Sequence, residues 1–241
     1  MVMNKIRGVV FDAYGTLFDV QSISTLADSL FPGQGTSIAA LWRDKQIEYS
    51  RLVTISDPDA LGSQHYASFW ELTQAALLYS LSRLGLSHEP AHVAQLMAQY
   101  AHLDAFAECK SVLEQIRKTR LPMAVLSNGS PQMLQSAADN AGLSHLLDHL
   151  ISVERVRQFK THPLAYGLAS TVLQIPSQEL LFVSSNGWDV MGATWFGFTT
   201  CWVNRSHLPL ETIGPRPSFV VSDLNEMLTI DGLLHQGIVD G

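Results

Sequence analysis

Three short, almost wholly apolar runs, IRGVVF (6–11), LPMAVL (121–126) and LLFV (180–183), each end at a polar residue: Asp12, Ser127 and Ser184 respectively. Continuous apolar runs of this length, unlike alternating ones, suit strands covered on both faces, so they predict a buried parallel sheet. FVV (219–221) reads as a fourth strand. Strands separated by helical patterns give an α/β fold. Open sheets of this class bind ligands at the carboxyl ends of their strands, and the three polar residues are therefore expected to converge there.

The spacing of the runs is uneven. Residues 13 to 120 separate the first from the second, whereas one right-handed crossover takes only about 30 residues. Within that stretch Ile38, Leu41, Trp42, Tyr49 and Leu52 recur at helical steps, as do Phe69, Leu72, Ala76, Leu77, Leu81 and Leu84. The pattern predicts a helical cap domain, 20–103, inserted into a Rossmann-like core formed by 1–19 and 104–241. FPGQG (31–35) and SDPDALGS (56–63) are breaker-rich and read as loops between cap helices. Gly33 and Gly35 follow no strand and lack the third glycine of a dinucleotide fingerprint.

Composition narrows the chemistry. The formal net charge is −7 and no Lys/Arg cluster forms a basic stripe, so nucleic acid is not an expected partner and a small organic substrate is. The apolar run before Asp12 is too short for a signal peptide, and no later stretch reaches membrane-spanning length. Cys109 and Cys201 have neither metal nor redox spacing and argue against a disulfide framework. A soluble, cytoplasmic protein with no membrane partner is expected. No metal site is expected either: Pro90 of HEPAH (88–92) starts a helix that leaves His88 outside it, and His145 and His149 lack a third ligand.

Taken alone, Asp12 reads as a turn or capping aspartate, or as a carboxylate nucleophile under the cap. Its company is more specific. FDAYGTLFD (11–19), the long helical insertion, VLSNGS (125–130), Lys160 and FVSSNGWD (182–189) follow one another in the order of the four motifs of the haloacid dehalogenase superfamily. Within it the chain resembles the L-2-haloacid dehalogenases, which carry Asp-Ala-Tyr-Gly-Thr, Ser-Asn-Gly and Ser-Ser-Asn-x-Trp-Asp at these places; LWRDKQIEYS (41–50) resembles their arginine-bearing cap helix.

Tyr14 is the sharpest discriminator. Phosphatases of the superfamily place a second aspartate two residues after the nucleophile to protonate a departing alkoxide, whereas halide leaves without a proton. An aromatic ring there offers an apolar wall instead. The substrate carboxylate and the halide are two anions that must be paired in a dry pocket, and the resemblance implies Lys160 beside Asp12 and Arg43 reaching down from the cap. Thr161 and Pro163 mark a helix start just after Lys160, where a cation is disfavoured unless an anion compensates. Asp12 is the expected anion.

Further roles come from the resemblance. Ser127 and Asn128, with the backbone N–H groups of Ala13 and Tyr14, would hold the substrate carboxylate, although turn chemistry also explains Ser127–Asn128–Gly129. Thr16 would hydrogen-bond the nucleophile. Asp189 would pair with Lys160 and orient water, with Ser184 and Asn186 fixing the geometry. Tyr166 reads as a site hydrogen-bonder or a helix-packing residue, Phe69 as a pocket wall or core, and Trp188 as pocket floor or core. The implied reaction is hydrolytic dehalogenation of L-2-haloacids to D-2-hydroxy acids through an aspartyl ester, with inversion. It needs no cofactor; the implied partners are a 2-haloalkanoic acid and halide, in a homodimer. The rival readings are a magnesium-dependent phosphatase of the same fold, with Asp12 and Asp189 as metal ligands, and a catalytically silent binding protein.

Overall fold

The computed structural model describes residues 5–57, 59, 61–231 and 233–234. Pro58 and Ala60 of the expected loop, and the ends of the expected core segments at 1–4 and 235–241, lie outside the described residues. The elements run β1 (Gly8–Phe11), α1 (Gln21–Leu30), α2 (Gly35–Ser56), α3 (Phe69–Arg83), α4 (Pro90–Gln99), α5 (Cys109–Lys118), β2 (Met123–Ser127), α6 (Pro131–Asn140), β3 (His149–Ser152), α7 (Pro163–Leu173), β4 (Leu180–Ser184), α8 (Gly187–Phe196), β5 (Thr199–Val203), β6 (Phe219–Val221) and α9 (Leu224–Met227).

The six strands form one parallel sheet in the order β3-β2-β1-β4-β5-β6. Every residue of β1, β2 and β4 is buried, which is why these strands read as unbroken apolar runs. They lie side by side, with Phe11 in register with Val125 on one side and Val183 on the other. Asp12, Ser127 and Ser184 therefore share one edge, as expected, at the point where the strand order reverses. Helices α7 and α8 pack against one another, as do α5 and α9.

Two strands escape the apolar-run criterion. β3 is an edge strand whose His149 is exposed, and β5 opens with Thr199 and Thr200. Thr200 is buried nonetheless, its hydroxyl satisfied by Thr194 Oγ1 at 2.9 Å. Helices α1 to α4 fill the interval between β1 and α5 and pack among themselves. Ile38, Trp42, Phe69, Ala76, Leu77 and Leu81 are buried there, while Leu52 is 46% exposed and does not join the core. α3 starts on a reciprocal capping box between Ser68 and Glu71, and α4 and α7 start on Pro90 and Pro163. The N-cap of α7 is His162, whose side chain accepts from the Leu164 N–H, and not Thr161. The chain leaves and re-enters the sheet unit at paired backbone: the Asp19 N–H donates to the Asp104 carbonyl and the Phe106 N–H to the Leu17 carbonyl.

Candidate active site

β1 delivers Asp12 to the carboxyl edge, 7% exposed, and the following turn uses Gly15 at φ +84°, a conformation that side chains disfavour. That turn brings Thr16 back beneath the carboxylate, and its hydroxyl donates to Asp12 Oδ2 at 3.0 Å. From the β4 edge, Asn186 Nδ2 donates to the same oxygen at 2.8 Å and Ser184 Oγ at 3.3 Å. Oδ1 has a different partner, the Lys160 ammonium at 3.0 Å. One oxygen is thus held by three neutral donors and the other by a cation.

Lys160 is 1% exposed, and its Nζ also donates to Asp189 Oδ2 at 2.8 Å. Burial alone would pull the ammonium down, but Asp12 and Asp189 outweigh it and hold Lys160 above the ordinary lysine value. Asp189 is fully buried, and loss of water pushes it up to about 6 against the pull of Lys160. Tyr166, buried on α7, donates to Asp189 Oδ1 at 2.8 Å and fixes its plane. Burial raises the Tyr166 phenol well above its usual range, so it remains a donor.

The second motif plays a supporting part here. The Lys160 N–H donates to Asn128 Oδ1 at 3.0 Å and the Gly129 N–H to Ser127 Oγ at 3.1 Å. Ala13 is buried and its carbonyl closes the turn by accepting from the Leu17 and Phe18 N–H groups. On the other side, Arg43 projects from α2 to Asn186 Oδ1 at 3.4 Å and to Gln46 Oε1 at 2.6 Å. Tyr14 forms an aromatic wall, stacked on Phe69 at 6.3 Å and edge-on to Tyr100 at 5.8 Å; Phe69 leans on Phe159 at 6.1 Å. The Tyr14 hydroxyl is buried without a hydrogen-bond partner, and desolvation keeps it neutral by raising its pKa.

Of the residues singled out from sequence, Thr16, Lys160, Ser184 and Asn186 bond Asp12 directly; Asp189 and Tyr166 are linked to it through Lys160, Asn128 through the Lys160 N–H, Arg43 through Asn186 and Phe69 through Tyr14, while Ala13 and Tyr14 lie in the turn after Asp12 and Ser127 ends β2. Trp188 does not floor the pocket: it is half-buried and its ring faces Arg51 at 5.1 Å in a surface groove between α2 and α8. Three residues escape the sequence criteria. Gln46 sits three residues after Arg43 on the same helix and is fully buried, a spacing that signals a shared face. Tyr100 and Arg205 carry no such local signal. Among the described residues, no group of three or more His, Cys, Asp or Glu is placed to hold a metal ion. The two carboxylates of the cluster are both engaged by Lys160.

The haloacid dehalogenase-like hydrolase family model matches residues 6–197. An (S)-2-haloacid dehalogenase from Pseudomonas sp. strain CBS-3 is 44% identical over 226 residues, covering 93% of this chain and 95% of that one. A crystal structure of an L-2-haloacid dehalogenase superposes with TM-score 0.91 at 48% identity, covering 93% of this chain and 98% of the other. The enzyme from Xanthobacter autotrophicus, solved with chloropropionic acid covalently bound, superposes with TM-score 0.82 at 38% identity, covering 92% and 96%. The chain belongs to the haloacid dehalogenase-like hydrolases and, within them, to the (S)-2-haloacid dehalogenases.

Proposed function

We propose that the chain hydrolyses L-2-haloalkanoic acids to D-2-hydroxy acids with Asp12 as nucleophile. The observation that carries this reading is the unequal treatment of the two Asp12 oxygens. Oδ2 already accepts from Thr16, Asn186 and Ser184, whereas Oδ1 has only Lys160. Oδ1 therefore keeps the freer lone pair and attacks C2 from behind, forming a C–O bond as the carbon–halogen bond breaks. Halide departs with the bonding pair, and C2 inverts. Arg43 and Lys160 are the cations that offset the substrate and product anions.

In the second step water attacks Cγ of Asp12. Negative charge then develops on Oδ2, the oxygen with three donors already in place, which makes Thr16, Ser184 and Asn186 an oxyanion hole built before the reaction. Asp189, fixed by Lys160 and Tyr166, orients that water and accepts its proton. The Cγ–Oδ1 bond breaks as Asp189 returns that proton to the departing alkoxide, the oxygen that came from water gives up its remaining proton to restore the Asp12 carboxylate, and the net yield is one hydroxy acid, one halide and one proton. Ser127 and Asn128, with the Ala13 and Tyr14 N–H groups, cradle the substrate carboxylate, while Tyr14 and Phe69 wall its alkyl side.

Residues 20–103 act as the cap over a core of 1–19 and 104–241. The chain works as a homodimer in the cytoplasm. Light scattering, which measures the mass in solution, tests the dimer. Among the described residues no helix is long and apolar enough to cross a membrane. The phosphatase reading lacks an alkoxide acid, because Tyr14 stands where that aspartate would be.

The test is single-turnover hydrolysis of L-2-chloropropionate in heavy-oxygen water with enzyme in excess. Unlabelled hydroxy acid in the first turnover supports an aspartyl ester, and labelled product refutes it. Halide release with and without EDTA, against phosphate release from a generic phosphoester, separates the rivals.

A further inference from the structure

Arg205, just past the end of β5, lies outside all four motifs yet makes a dense set of contacts. Its Nη1 donates to the Gly15 carbonyl at 3.2 Å and to Ser185 Oγ at 2.8 Å. Nη2 donates to the Thr16 carbonyl at 3.1 Å and to Glu108 Oε1 at 2.7 Å. The guanidinium carbon also lies 3.8 Å from the centroid of the Phe106 ring. Planar geometry and five donors allow one arginine to engage acceptors on several segments at once, which lysine cannot do.

Those segments matter. Gly15 and Thr16 form the turn that returns Thr16 to Asp12, and Ser185 adjoins Ser184 and Asn186. Phe106 and Glu108 lie where the chain comes back from the helical insertion. The Thr16 hydroxyl joins the first two segments, since it donates to Asp12 Oδ2 and accepts from the Ser185 N–H at 2.8 Å. Arg205 itself is bonded to no atom of Asp12. We infer that Arg205 is a positioning residue for the nucleophile: it fastens the Gly15–Thr16 turn, the Ser185 loop and the returning segment together, and so fixes the Thr16 hydroxyl, which joins the first two segments, on Asp12 Oδ2. Only 18% of its side chain is exposed, and Glu108, equally covered at 16%, balances its charge. The clamp therefore keeps its charge paired in a setting that water screens only partly.

This inference rests on the dehalogenase reading, and the experiment separates the two. Halide release from L-2-chloropropionate is measured for the wild type, Arg205→Ala, Thr16→Val and the double variant. No release by the wild type sinks the dehalogenase reading. Given wild-type activity, Arg205→Ala is expected to lower kcat by about tenfold to a hundredfold and to change KM by less than about threefold. In the Thr16→Val background the same substitution is expected to lower kcat by less than about threefold, because its route to Asp12 is already broken. A full loss in both backgrounds, an effect on KM alone, or no effect overturns the inference. If Arg205→Ala does not fold by circular dichroism, Arg205→Lys, which keeps a cation beside Glu108, takes its place in both backgrounds, with the same results supporting or overturning the inference.

Discussion

Replacing Lys160 by methionine keeps the length of the side chain and removes the charge between Asp12 and Asp189. Its Nζ lies 3.0 Å and 2.8 Å from the two carboxylates and is 1% exposed. At an effective dielectric of about 20, each contact contributes about 5 kcal/mol of attraction. Desolvation offsets several kcal/mol of this, so removing one member of such a group costs about 3–5 kcal/mol net. The loss depends on pH. Asp189 is already pushed up to about 6 by burial; without the ammonium it faces Asp12 as a like charge and rises further. A carboxyl group whose folded pKa lies above its unfolded value contributes stability while protonated and loses that contribution as pH rises through the folded pKa. Urea unfolding should therefore show a deficit of about 3–5 kcal/mol at pH 8, and one smaller by at least about 1 kcal/mol at pH 5.5. Halide release should be undetectable at pH 8. A deficit below about 1 kcal/mol at pH 8, or an equal deficit at both pH values, would show that Lys160 does not hold the two carboxylates as charges.

Wild-type kcat should fall as pH drops through about 6, where Asp189 takes up a proton, and Asp189→Asn should abolish that limb. The Asn variant should lose about 10²–10⁴ in ester hydrolysis, so that mass spectrometry finds the alkylated Asp12 peptide. Tyr14→Phe removes a buried hydroxyl that has no partner; thermal unfolding should shift by no more than about 1 kcal/mol equivalent, and halide release should persist. Gly192→Ala should lower activity sharply, because a Cβ there would lie 2.6 Å from both Thr161 Cγ2 and Tyr166 Oη. Displacing Tyr166 frees Asp189, and normal kinetics with an intact fold would contradict this.

The site is legible in the sequence where chemistry and chain order coincide. Asp12, Ser127 and Ser184 end buried strands, and such strands are marked by unbroken apolar runs. β3 and β5 are not legible, because β3 is an edge strand that leaves His149 to solvent, and β5 opens on two threonines, of which the buried Thr200 meets its partner, Thr194, only in the fold. The cap of α7 differs from the expected one for a similar reason: Thr161 and His162 both precede Pro163, and only the structure shows that His162 turns its ring to the Leu164 N–H. Arg205 leaves no mark in the sequence because its acceptors, Gly15, Thr16, Ser185 and Glu108, are brought together only by folding.

The contacts of Asp12 also fix what happens after the first turnover. Water enters where the alkyl oxygen leaves, so the regenerated carboxylate holds one labelled oxygen at the Oδ1 position and one unlabelled oxygen at Oδ2. If the group never rotated, every later product would carry label. Rotation must release four contacts, from Lys160, Thr16, Ser184 and Asn186. At about 1.5–3 kcal/mol for each bond to a charged group, the barrier is about 6–12 kcal/mol. Even the upper value permits roughly ten thousand rotations per second, against turnovers on the order of ten per second. Rotation wins, and the two oxygens exchange before each new attack. In heavy-oxygen water the first product should be unlabelled, the second about half labelled and the third about three quarters labelled. Quenching at two equivalents of product per site should give an average near one quarter. An average near one half would mean that the carboxylate is locked throughout the cycle, with a barrier above about 15 kcal/mol, more than these contacts supply.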